Sequence, residues 1–132
     1  MNVGKAAEEY VKRYFREKRG LELVRARRNE LGYDFRDESE KLFVEVKGTT
    51  KDFRDVIFHN FTNGEYAKAK LCKRDRTSYE IHLIVGMRNG APEHYVIPGK
   101  VFLDRAKPEV QWYLPIRKDL RQYRIPSTAD SQ

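Results

Sequence analysis

Between Val3 and Lys18 the apolar residues Ala7, Tyr10, Val11, Tyr14 and Phe15 recur at intervals of three and four. That spacing places them on one face of a helix, and Gly20 stands where such a helix would stop. The pattern then shortens. LELVRARR (Leu21–Arg28), GYDFRD (Gly32–Asp37) and KLFVEVKG (Lys41–Gly48) read as three strands, and the short polar DESE segment between the last two suits a hairpin. FRDVIFHNF adds a fourth extended piece. Thr62 and Glu65 have the spacing of a capping box, which predicts a helix from there to about Arg74. SYEIHLIVGM (Ser78–Met87) begins with alternation and ends apolar on both faces, as a central strand covered by helices would. HYVI (His94–Ile97) and VQWYLPI (Val110–Ile116) read as two further strands separated by PGKVFLDRA, and the end from Pro126 reads as a mobile tail. Helix, three strands, helix, strand is the order of an α/β sandwich, with the last strands as additions.

Composition narrows the class. A chain of 132 residues, 36% charged and 39% hydrophobic, reads as one globular domain over residues 1–125 and a tail over 126–132. Its net charge of +7 suits a polyanionic partner, although many basic proteins touch no nucleic acid. The lone Cys72 excludes an intramolecular disulfide, argues against a cysteine metal site and points to a reducing, cytoplasmic setting. No apolar signal region opens the chain, and the run Leu83–Met87 is too short to span a bilayer, so no membrane association is expected.

Candidate chemistry centres on the third strand. Residues two apart share a face, so Glu45 and Lys47 point one way while Leu42, Val44 and Val46 point the other. Twelve Glu and twelve Lys in the chain yield about one Glu-x-Lys triplet by chance. On its own, then, this pair reads as a surface ion pair worth a few tenths of a kcal/mol. Asp34 changes that reading. A DESE hairpin brings it alongside Glu45, with Tyr33 and Phe35 facing the other way. Two converging carboxylates repel unless a cation lies between them or one takes a proton. Oxygen ligands of this kind suit Mg²⁺, with the Val46 carbonyl as a further donor, and Lys47 beside them can orient or deprotonate a water and offset charge on a transition state. On the first helix Glu8 lies at the edge of the apolar stripe and can reach a site beneath, whereas Glu9 lies on the far side with Lys12, Arg13 and Arg16. The plainer role for Glu8 is a first-turn acid complementing the helix dipole.

These residues carry a resemblance. Asp34, then Glu45-Val46-Lys47 on the next strand, after a helix bearing Glu8, resembles the PD-(D/E)XK nuclease superfamily, which includes restriction enzymes, archaeal Holliday junction resolvases and repair nucleases. GKAAEEYV, GYDFRD, FVEVKGTT and FTNGEYAKA, in that order, more narrowly resemble the C-terminal domain of the plant protein NO VEIN and restriction-associated bacterial proteins, over about Gly4–Met87. The resemblance implies a restriction-endonuclease-like αβββαβ core with additional C-terminal strands. It implies Asp34 and Glu45 as metal ligands, Lys47 as the catalytic lysine and Glu8 as an accessory acid. Tyr33 stands where the superfamily often has proline, and past Met87 no motif is recognised.

Around the site, Thr49, Thr50 and Lys51 can hold flanking phosphates, as can Lys68 and Lys70 on the second helix and Arg25 and Arg27 on the first strand. A solvated helix face explains the lysines equally well. Arg117, Lys118, Arg121 and Arg124 form another basic strip. The three histidines lack metal-ligand spacing, and Trp112 and Tyr113 suit either core packing or base stacking. The expected activity is Mg²⁺-dependent cleavage of DNA, with Mn²⁺ as a substitute, in restriction or repair. A homodimer and a helicase or restriction-system partner are both compatible with it. The alternative is a catalytically inactive module of the same fold that binds nucleic acid or protein.

Overall fold

A computed structural model describes residues 2–54, 57–88, 90–108 and 112–127. Helix α1 spans Val3–Lys18, and its first turn is closed by the Asn2 side chain, which accepts the Lys5 N–H. Strands β1 (Val24–Arg25), β2 (Phe35–Arg36) and β3 (Leu42–Gly48) follow, then β4 (Ile57–Phe61) and helix α2 (Asn63–Asp75). Strands β5 (Ser78–Val85) and β6 (Glu93–Pro98) lead to helix α3 (Gly99–Arg105), strand β7 (Trp112–Pro115), a 3-10 turn over Lys118–Tyr123 and strand β8 (Arg124–Ile125).

Six strands form one sheet in the order β1-β2-β3-β5-β6-β8, and β4 pairs with β7 in a separate antiparallel ribbon. Among the described strands only β3 and β5 run parallel, and they are connected through β4 and α2. Both are buried on their two faces, which explains the apolar run in β5. Ala7, Val11 and Phe15 of α1 pack against Leu42, Val44, Val46 and Ile84 on one side of the sheet. On the other side Phe43, Ile81, Leu83 and Val85 meet Ala69 and Cys72 of α2, Phe102 of α3, and Phe61 and Leu114 of the ribbon. The sheet is therefore the middle of three layers.

Several expectations change. Strands predicted over Leu21–Arg28 and Gly32–Asp37 shrink to two residues each, because a turn closed by Glu30 N–H on the Arg27 carbonyl and a bend at Gly32 break the pairing between them. Tyr33 and Phe35 do not share a face. Tyr33 packs on Phe43 on the α2 side, while Phe35 is buried against α1. PGKVFLDRA contains α3 rather than a bare connection. The chain after the 3-10 turn pairs with β6 through β8, and of the tail only Pro126 and Ser127 fall within the described residues. Asp55, Val56, Val110 and Gln111, included in two of the predicted strands, lie outside them. Cys72 is a buried free thiol. No helix among the described residues is long and apolar enough to cross a membrane.

Candidate active site

The register of β2 on β3 brings the two acids together. Phe35 pairs with Val44, so Asp34, one residue earlier, falls beside Glu45. Asp34 lies at a bend where β2 has ended, and its backbone N–H donates to the Val44 carbonyl at 2.8 Å. Its Oδ2 accepts the Val46 N–H at 2.8 Å, so a side chain completes the ladder where the strand stops. A strand residue turns its N–H and C=O to the same side, and the Val46 carbonyl therefore faces the Asp34 edge of β3.

Alternation sends Glu45 and Lys47 to the α2 face, where they are only 4% and 8% exposed. This is no surface pair. Lys47 Nζ lies 2.9 Å from Glu45 Oε2 and 3.0 Å from Glu65 Oε1, and it donates to the Asn60 carbonyl at 2.9 Å. Three acceptors match the three N–H groups of an ammonium. The Phe61 ring lies 4.9 Å from the same nitrogen. Glu65 was legible only as a helix cap, and it is that too: its Oε1 accepts the Thr62 N–H at 3.2 Å while Thr62 Oγ1 accepts the Glu65 N–H at 3.1 Å.

Burial dominates the electrostatics. It pushes the Glu45 carboxyl up to about 8, with Asp34 and Glu65 adding to the rise and Lys47 opposing it. Asp34 is raised as well, by burial first, against the Val46 hydrogen bond and with help from the charge of Glu8. Burial disfavours the Lys47 ammonium, yet Glu45 and Glu65 more than offset this, and its pKa rises. Two carboxylates thus contact one ammonium, and a third, Asp34, feels its charge. All the donors are hard oxygens, which suits a small divalent cation held by two carboxylates, a carbonyl and waters. Among the described residues no group of three or more His, Cys, Asp and Glu side chains is placed to hold a metal ion.

Glu8 stays outside this cluster. It sits beyond the first turn of α1, on the other side of the sheet, and its Oε1 lies 2.9 Å from Arg25 Nη2. An ion pair therefore replaces the helix-dipole role, and Glu8 influences Asp34 through charge alone. Arg25 also rests its guanidinium 4.7 Å from the Phe35 ring centre, and Arg27 is exposed with Glu30 at 3.8 Å. Thr49, Thr50 and Lys51 follow the cluster directly. The Thr49 N–H donates to the Ile84 carbonyl, and its hydroxyl accepts the Lys51 N–H at 3.1 Å. Lys68 Nζ lies 3.9 Å from the Phe43 ring centre, Lys70 is exposed near Tyr66, and Arg121 and Arg124 both reach Glu93. Trp112 stacks on Tyr66 at 3.6 Å, and Tyr113 stacks on His59. Sequence spacing gave no hint that His82 and His94 would meet: their Nδ1 and Nε2 lie 2.8 Å apart, and His82 Nε2 lies 2.9 Å from Glu80.

The architecture, a central mixed sheet covered by helices on both faces, has counterparts among solved structures. The structure resembles that of Hjc, a Holliday junction resolvase from the archaeal hyperthermophile Archaeoglobus fulgidus, with a TM-score of 0.59 over 92% of this chain and 89% of that one. Identity is 11%, so the likeness is one of fold. By sequence, the chain belongs to the family described as Protein NO VEIN, C-terminal, whose model matches residues 3–97 and so runs past Met87 through most of β6. No curated protein matches the sequence.

Proposed function

We propose that this protein is a metal-dependent endonuclease that hydrolyses phosphodiester bonds in DNA, in a restriction or DNA-repair setting. The observation that carries the reading is the buried excess of acid around Lys47. An ion pair kept for stability needs one carboxylate per ammonium, and burying further carboxylates beside it is unfavourable. Such an arrangement is what a cation-assisted site requires and what a structural core avoids.

Asp34, Glu45 and the Val46 carbonyl would hold the ion, Mg²⁺ or Mn²⁺. When bound, it would supply Lewis-acid polarisation of a phosphoryl oxygen and a more acidic water. The residues of the chain supply the rest. The Val46 N–H fixes Asp34 in orientation. Lys47, held as an ammonium, is suited to offset negative charge growing on the phosphoryl oxygens and to orient the attacking water by donating to it. Its retained proton makes it a poor base in this arrangement, which favours the orienting role over deprotonation. Glu8 acts at a distance by raising the proton affinity of Asp34. Thr49, Thr50 and Lys51, with Lys68, Lys70, Arg25 and Arg27 further out, would engage the flanking phosphates. One such site cuts one strand at a time, so cutting both strands calls for a second copy.

The test is cleavage of supercoiled, linear, branched and single-stranded DNA at low salt with Mg²⁺ or Mn²⁺, comparing wild type with Asp34→Ala and Lys47→Ala. Metal-dependent cutting that is lost in both variants is expected. DNA binding that is equal in all three proteins, with no cutting in any, would point to the inactive module instead.

A further inference from the structure

We propose that Glu65 is the positioning residue of Lys47, tying the start of α2 to the active site so that the lysine keeps its place when Glu45 turns to another partner. This rests on the nuclease reading of the cluster. The geometry behind it is specific. A single oxygen, Glu65 Oε1, both accepts the Thr62 N–H and lies 3.0 Å from Lys47 Nζ. The capping box and the ammonium therefore share one atom. Glu65 is also in phase with Ala69 and Cys72, the other buried residues of α2, so it faces the sheet rather than solvent as most capping glutamates do.

Glu45 has two claims on it. In this structure it pairs with Lys47, and in the proposed reaction it holds the ion. If it moves, the ammonium loses one of its three acceptors. The other two, Glu65 Oε1 and the Asn60 carbonyl, belong to the segment that runs from β4 into α2 and are independent of Glu45. A carbonyl on the strand cannot choose another rotamer, and Glu65 is held by its second hydrogen bond. Two fixed acceptors and a flanking ring, Phe61, confine the end of a side chain that otherwise has four rotatable bonds. Lys47 is thereby held in place before the substrate arrives.

Three variants test this. Glu65→Ala removes both contacts of the shared oxygen. Glu65→Gln keeps an oxygen that can accept both. Thr62→Ala weakens the helix cap and leaves the Lys47 contact in place. At a temperature where all are folded, Glu65→Ala is expected to lower kcat about 100-fold with KM little changed, since misplacing a reacting group costs that much. Glu65→Gln should stay within about tenfold of wild type, because a neutral acceptor makes the same bonds less strongly. Thr62→Ala should lose thermal stability but keep its kcat. A kcat loss in Glu65→Ala that extra Mg²⁺ restores would make Glu65 a metal ligand and overturn the proposal, as would equal losses in Thr62→Ala and Glu65→Ala.

A second measurement needs no turnover. In protein labelled with ¹⁵N-lysine, the buried Lys47 ammonium should give an NMR signal protected from solvent exchange in wild type, Glu65→Gln and Thr62→Ala, and lost in Glu65→Ala. Protection that survives Glu65→Ala refutes the positioning role. If wild type cuts nothing while the signal behaves as expected, the nuclease reading fails and the anchoring of Lys47 by Glu65 stands.

Discussion

Glu45 is the residue on which stability and chemistry pull in opposite directions. Its folded pKa of about 8 lies above the ordinary value of 4.5, so the fold prefers the protonated acid. By linkage, the stability it contributes is intact below about 4.5 and is lost as pH rises towards about 8. Glu45→Gln removes the ionisable group while keeping its shape, and should therefore raise the melting temperature at mildly alkaline pH and change it little in acid. The histidine pair behaves in the reverse sense. Burial holds His82 below its usual 6.5 and His94 down to about 2, with the charges of His82 and Arg19 adding to the latter. Glu80 opposes the shift at His82, and the Tyr10 and Tyr14 rings close over His94 from α1. With its pKa near 2 the His94 ring is neutral in the fold, so its contribution is present above 6.5 and declines as pH falls below it, by up to about 1.4 kcal/mol per pH unit, and the lowered pKa of His82 acts in the same direction. Denaturant midpoints between pH 7 and 5 should show this loss, and His94→Asn should flatten it. At this scale Asp34, Glu45 and Lys47 were legible, because a two-residue period and one hairpin suffice to bring them together. Glu65 and the Asn60 carbonyl were not, since only the return of α2 over β3 delivers them. The phase of Glu65 with Ala69 and Cys72 was the signal available in advance.

Among the elements, the loop before β2 and the start of α2 act as one unit. Gly32 has φ +91°, and a methyl there would run into the Gly64 carbonyl and lie 2.7 Å from Lys68 Cβ. The Tyr79 hydroxyl donates to the Gly32 carbonyl at 2.7 Å from the strand below. Gly32→Ala is therefore expected to destabilise the protein by about 2 kcal/mol or more, through a strained backbone and a close approach lost, and to impair the site that the two elements frame. Thermal melts beside cleavage assays would show both effects. Thr62→Ala should cost about 1 kcal/mol of stability, the usual worth of such a cap. Helices α1 and α2 were readable from period and cap, β3 from its alternation and β5 from the apolar run at its end. The short β1 and β2 were overextended because LELVRARR and GYDFRD alternate like strands, while the Gly32 bend between them is set by its contact with α2. Helix α3 escaped notice because its seven residues follow Pro98, begin on Gly99 and bury only Phe102, too little to reveal a helical period.

In the whole molecule, the three layers place the acid cluster between the sheet and the start of α2, with the exposed Lys51 following it in the chain. Charge sets the terms of encounter. With a net +7, DNA affinity should fall about tenfold or more between 50 and 200 mM salt, a dependence that titration at several salt concentrations would measure. The αβββαβ core followed from element order, whereas the β4–β7 ribbon did not, since its strands lie far apart in sequence. The central claim is that the buried acids are kept for cutting rather than for stability, and Glu45→Gln tests it most directly. Melting temperature, DNA affinity and single-turnover nicking of supercoiled plasmid would be measured with Mg²⁺ for this variant and wild type. The expected variant is at least as stable, binds DNA as well and nicks about 100-fold or more slowly, the scale of loss when a key stabilising group is removed. A Glu45→Gln protein that nicks at the wild-type rate would contradict the central claim.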